Sequence, residues 1–201
     1  MTRSLLVFTC STLLLACGGD DDGGATADAA AADAASSGGT PDATAAPPDA
    51  TPAMMVTCEA GNPCDCPPGE TCTIDCPGGG CDPTCAEGAT CTIDCTAGDC
   101  NPVCAEDTTC TIDCAGGGCD PTCQEGSNCT VNCPDGECQT HCLDATCTQN
   151  CAGGNCAFEC TGTSTCTDHC TSECQMTCEA TVTSCDSTCA TNCNCDGAGC
   201  P

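Results

Sequence analysis

Thr71-Cys72-Thr73-Ile74-Asp75-Cys76, TCTIDC, returns unchanged at 90–95 and at 109–114, nineteen residues apart each time. Alternation of period two places Cys72, Ile74 and Cys76 on one face of an extended segment and Thr71, Thr73 and Asp75 on the other. The hexapeptide therefore predicts a short strand with an apolar, sulfur-bearing inner face and a polar outer face. Working outward, Gly78 to Gly80 predict a turn, Cys81 to Cys85 a second short extended segment, and Glu87-Gly88 the corner that closes the circuit.

The circuit repeats along the chain as C-x3-C-x4-C-x3-C at intervals of 18 or 19 residues, with variants starting at Asn128, Thr146, Thr165 and Ser184. Regular periods of this length mark stacked repeats. The fold expected is a disulfide-rich small-repeat β-solenoid of about seven rungs of 18–19 residues. At a strand spacing of about 4.8 Å it would be roughly 34 Å long.

Nothing else in the composition could hold such a domain together. From Cys58 onward the large apolar residues are Ile74, Ile93, Val103, Ile112, Val131, Leu143, Phe158, Met176 and Val182, with no Trp or Tyr in the chain. That is too few for a conventional core, so cross-links must restrain the unfolded chain instead. Bridges are expected at Cys72, Cys76, Cys81, Cys85, Cys91, Cys95, Cys100, Cys104, Cys110, Cys114, Cys119 and Cys123. An extended Cys72–Cys76 span of about 13 Å excludes a bridge between those two. The simplest scheme is nested, Cys76 to Cys81 around the glycine turn and Cys72 to Cys85 across the rung. Pairing between rungs is the competing scheme, and the odd numbers of cysteines at both ends require at least one such bridge.

The domain is preceded by two segments of different character. Residues 1–16 carry one basic residue, Arg3, and an apolar run from Leu5 to Ala16, the pattern of a signal peptide and too short to span a bilayer. The run ends Leu14-Leu15-Ala16-Cys17, which resembles the bacterial lipobox; the resemblance implies lipidation at Cys17 and an exported protein anchored in the bacterial cell envelope, at the outer membrane or cell surface. Of 34 cysteines, loss of Cys10 with the leader and acylation of Cys17 would leave 32, an even number suited to a disulfide framework. Residues 17–57 are Gly, Ala, Asp, Thr, Ser and Pro with almost nothing large and apolar, the composition of a disordered acidic tether. Its reach would be roughly 35 Å. Residues 58–201 then form the cysteine-rich repeat domain.

Charge removes several function classes. The chain has 29 acidic residues, two histidines (His141 and His169) and Arg3 as its one basic residue, for a net charge of −28. Processing before Cys17 would leave no Lys or Arg, which excludes nucleic-acid or anionic-lipid binding through basic patches. The membrane partner expected is the lipid anchor alone. Enzymatic activity is not expected, because the domain has no Lys, Arg or Tyr and no C-x-x-C motif. His169 aligns with Asp75 and reads as a repeat variant.

Three ligand chemistries remain open. Stacking would make Asp75, Asp94 and Asp113 neighbours, a column of carboxylates able to hold calcium weakly; Asp82, Asn101 and Asp120 would form a second row. Dense cysteine is compatible with a thiolate metal store, although an oxidising compartment favours bridges. The pairs Thr71/Thr73, Thr90/Thr92, Thr109/Thr111, Thr146/Thr148 and Thr165/Thr167 resemble the Thr-Cys-Thr ladder of beetle hyperactive antifreeze proteins, and that resemblance implies ice binding. The expected function is non-catalytic, a surface lipoprotein displaying a rigid module toward a protein or carbohydrate at the cell surface.

Overall fold

A computed structural model describes residues 52–61 and 64–197. The leader (1–16), Cys17, most of the tether, and the end of the chain from 198 lie outside the described residues.

The repeats wind into a β-solenoid of two parallel eight-stranded sheets. Strands in chain order are β1 (Met54–Thr57), β2 (Asp65–Cys66), β3 (Thr71–Asp75), β4 (Thr84–Cys85), β5 (Thr90–Asp94), β6 (Val103–Cys104), β7 (Thr109–Asp113) and β8 (Thr122–Cys123). They continue as β9 (Asn128–Asn132), β10 (Gln139–Leu143), β11 (Thr146–Cys151), β12 (Ala157–Thr161), β13 (Thr165–Ser172), β14 (Gln175–Cys178), β15 (Ser184–Thr191) and β16 (Asn194–Gly197). Odd-numbered strands form the first sheet and even-numbered strands the second, each pairing with the strand two places along the chain. The tether ends earlier than its composition suggests. Met54, Met55, Val56 and Thr57 pair with Cys72, Thr73, Ile74 and Asp75, so four residues assigned to the tether extend the first sheet.

Register keeps like on like. Thr71, Thr90 and Thr109 pair in sequence, as do Ile74, Ile93 and Ile112, and Asp75, Asp94 and Asp113. Where Pro83, Pro102 and Pro121 occupy the inner position of the second sheet, the strands there span only two residues. Proline donates no N–H to the ladder. Thr140, Phe158 and Met176 replace it in later coils, and β10, β12 and β14 lengthen to four or five residues.

Each coil encloses four cysteines and one inward residue from each sheet. On the first sheet that residue is Ile74, Ile93, Ile112, Val131, Gln149 and then Asp168; on the second it is Pro83, Pro102, Pro121, Thr140, Phe158 and then Met176, all buried. The interior thus changes from aliphatic to partly polar toward the C-terminus. The alignment of T-C-T-x-x-C already puts Gln149 and Asp168 in the isoleucine column.

Among the described residues, fourteen disulfides close the corners. At the corner that follows each strand of the first sheet except β3 they are Cys58–Cys64, Cys95–Cys100, Cys114–Cys119, Cys133–Cys138, Cys151–Cys156, Cys170–Cys174 and Cys189–Cys193. The nested Cys72–Cys85 bridge does not form. Cys72 joins Cys66 and Cys85 joins Cys91, and Cys104–Cys110 and Cys123–Cys129 follow the same rule. By the end of a circuit the chain has climbed most of one strand spacing, about 4.8 Å, so the next cysteine ahead is level with Cys85 and the one behind is not. A second departure is at the corner of Gly78 to Gly80, where Cys76 and Cys81 keep free thiols. There the two sulfurs lie against Cys58, whose own bridge goes to Cys64, and a Cys76–Cys81 hydrogen bond stands in place of the covalent bond.

The glycine corner is tight for a stacking reason. Gly79, Gly98, Gly117, Gly136 and Gly154 all have positive φ. A Cβ on Gly117 would lie 2.6 Å from the carbonyl oxygen of Gly136 in the coil above. Glycine is therefore required by both backbone angle and contact.

Candidate functional site

The outer face of the first sheet carries three columns. One is Thr71, Thr90, Thr109, Asn128, Thr146, Thr165 and Ser184; the next is Thr73, Thr92, Thr111, Thr130, Thr148, Thr167 and Asp186. The third is Asp75, Asp94, Asp113, Asn132, Asn150, His169 and Thr188. Parallel pairing without a slip places identical side chains one strand spacing apart, which is why each column runs straight.

Two carboxylates of the acidic column receive side-chain donors. Asn150 Nδ2 donates to Asn132 Oδ1 at 2.8 Å, and Asn132 Nδ2 donates to Asp113 Oδ1 at 2.6 Å. Asp94 Oδ1 accepts from the Thr96 hydroxyl at 2.9 Å. The structure does bring Asp75, Asp94 and Asp113 together as neighbours, and His169 does occupy the equivalent place, where its Nδ1 lies 2.7 Å from Thr188 Oγ1.

Just ahead of β4, β6 and β8 the row Asp82, Asn101 and Asp120 also forms. Asn101 Nδ2 donates to Asp82 Oδ1 at 2.9 Å. Asp120 instead faces His141, whose Nε2 is 3.1 Å from Asp120 Oδ1 while its Nδ1 is 2.9 Å from Glu159 Oε2. Sequence reasoning missed this triad. Half of it was visible, since His141 and Glu159 are one repeat of 18 residues apart and stack directly. Asp120 comes in diagonally from the neighbouring column, a relation that alignment of repeats does not display. Beside the triad an open notch of about 230 Å³ is lined by Gln139, His141, Ala157, Glu159, Gln175 and Thr177, with the small Ala157 side chain between the two glutamines.

The sulfur interior offers little to a metal ion. Groups such as Cys76, Cys95 and Cys100 place three sulfurs within 4.8 Å of one another, yet Cys95 and Cys100 are joined as a disulfide and hold no thiolate. Burial and the adjacent Cys81 push the Cys76 thiol up to about 12, far from the thiolate form that binds metal or attacks. Inside the C-terminal coils, Asp168 is 1% exposed and its carboxyl is raised above its usual range, because burial penalises the charged form. Gln149 Nε2 donates to Asp168 Oδ1 at 3.4 Å, a partial offset, while Gln149 Oε1 finds no donor.

No family model, curated protein or solved structure matches the chain.

Proposed function

We propose that the protein is a non-catalytic lipoprotein of the bacterial cell envelope, anchored through Cys17, which presents the solenoid as a rigid module for binding or adhesion at the cell surface. The observation that carries this reading is the pair of flat, in-register outer faces on a frame closed at nearly every corner. Such a frame holds its outer side chains in place before any partner arrives, and so reduces the ordering cost of association. The leader pattern and the lipobox-like Leu14-Leu15-Ala16-Cys17 support export and anchoring. The partner is a protein or carbohydrate, engaged without basic side chains. Fractionation tests the anchor: the wild-type protein partitions with membranes, and Cys17→Ala releases it or blocks its maturation. Membrane retention of a Cys17→Ala protein cut at another position would overturn the reading.

A second reading, ice binding, is favoured by one observation, the two straight threonine columns of the first sheet. Substitutions at Asn128, Ser184 and Asp186 interrupt them, and the Asp75 column runs alongside. Thermal hysteresis of the purified protein separates the two, since a surface adhesin shows none.

A further inference from the structure

We propose that Asp120 and His141 form a binding site for a divalent transition-metal ion, with Glu159 as the residue that positions the imidazole. The reason is a mismatch of electron pairs. A neutral imidazole has one N–H and one lone pair. Here each ring nitrogen faces a carboxylate oxygen, at 2.9 Å to Glu159 and 3.1 Å to Asp120. When Nδ1–H donates to Glu159, Nε2 keeps its lone pair and lies 3.1 Å from Asp120 Oδ1, a buried oxygen without a hydrogen-bond donor and set to one side of the ring nitrogen's axis. Two electron-rich atoms held that close, and not joined by a hydrogen bond, call for a positive centre that both can reach. In a chain whose one Lys or Arg is Arg3, that centre is a second proton on the ring or a bound cation.

The arrangement selects the class of cation. An imidazole nitrogen beside a carboxylate suits Zn²⁺, Cu²⁺ or Ni²⁺, whereas Ca²⁺ takes oxygen ligands throughout. A carboxylate on the far ring nitrogen fixes the tautomer and raises the basicity of the ligating nitrogen, the usual role of an outer partner in histidine metal sites. Glu159 is in that position, one strand spacing from His141 in the same column. Asp120 and His141 are both partly exposed, so the carboxylate can move outward to admit an ion, and the open notch beside them leaves room for water ligands. Gln139, on the same outer face two residues before His141, lines the same notch. The charge of the chain favours any cation near its surface, but among the described residues His141 is the imidazole that meets carboxylate oxygens.

His169 serves as an internal control, because its Nδ1 meets a hydroxyl, Thr188 Oγ1, where His141 meets carboxylates on both sides. The experiment is a Zn²⁺ titration of the oxidised full chain, followed by the ring ¹H–¹⁵N resonances of the two histidines, with Ca²⁺ as competitor. One Zn²⁺ per chain should shift the His141 Nε2 signal and leave His169 unchanged, and excess Ca²⁺ should not reverse it. His141→Asn should abolish that binding, and His169→Asn should leave it intact. Asp120→Asn should weaken it about tenfold or more, in line with loss of a ligand. Glu159→Gln should weaken it by about tenfold and also change the tautomer balance in the ion-free protein, a signature that a purely structural role would not give. A response shared equally by both histidines, stoichiometric binding that survives His141→Asn, or no response to Zn²⁺ with His141 carrying two protons would each overturn the proposal. These outcomes are independent of whether the chain is lipid-anchored.

Discussion

Opening one corner measures how much a single cross-link contributes. Cys114→Ala with Cys119→Ala removes a bridge that closes a loop of sequence separation five. The loop-closure relation for so short a loop gives about 2 kcal/mol at room temperature. Truncation of the isoleucine in the same coil, Ile112→Ala, removes the largest apolar side chain there, whose other buried non-cysteine side chains are Pro121 and Ser127. Neighbouring coils cannot close that gap without losing register, so its cost should reach about 3–5 kcal/mol. One apolar side chain is thus expected to outweigh one cross-link, although the cross-links dominate as a set. Guanidinium unfolding under non-reducing conditions measures both variants. Hydrogen exchange should localise the effect of the double cysteine variant: the Cys95, Asp99 and Gly118 amides, which donate into this corner or its neighbours, should exchange roughly thirtyfold faster. Amides near Cys170 should keep their protection, because contacts in a stack reach only adjacent coils. Destabilisation beyond about 6 kcal/mol, or faster exchange spread evenly over all coils, would refute both the loop-entropy magnitude and the nearest-neighbour picture.

Three further outcomes are expected. Burial raises the folded-state pKa of Asp168 above its ordinary 3.8, so its stabilising effect is complete below that value and is lost as pH rises through the folded pKa; Asp168→Asn should therefore match wild type near pH 3 and exceed it in melting temperature at pH 7. A variant less stable than wild type at pH 7 would contradict this. Cys76 and Cys81 should resist alkylation at pH 8 in the folded protein and react fully once it is denatured without reductant, as peptide mapping would show; recovery of a bridged Cys76–Cys81 peptide would count against it. Calcium should bind the Asp75, Asp94 and Asp113 column weakly at most, because solvated carboxylates one strand spacing apart repel by only about 1 kcal/mol in water; calorimetry showing tight stoichiometric binding, or a melting temperature that collapses on chelation, would reverse that ranking.

The period, the two faces and the polar columns were legible in the sequence because identical residues recur at a fixed interval and parallel stacking preserves that interval. Asp75 predicted the positions of Asp94 and Asp113, and Asp82 those of Asn101 and Asp120. The cysteine partners were not legible to the same degree. A repeat has no natural first residue, and starting it at Thr71 made Cys72 and Cys85 look like the two ends of one closed ring. In a rising coil the end meets the next beginning, so Cys85 takes Cys91. The triad at His141 was hidden for a related reason, since the approach of Asp120 is diagonal and depends on side-chain reach as well as column position. Alignment of the repeats sets Gln149 and Asp168 in the isoleucine column, but a polar residue there does not announce that it is buried or how a neighbour accommodates it.

The locality of the bridges also bears on how such a molecule can change length. Among the described residues each cross-link spans between four and seven residues, so none of these ties one end of the array to the other. Removing residues 90–108 would bring the partnerless Cys85 to the same distance from Cys110 that it now keeps from Cys91, and every other pair would be untouched. Gain or loss of a whole repeat by unequal recombination therefore needs no new pairing and no compensating mutation. The number of coils is free to drift, and with it the distance the molecule extends.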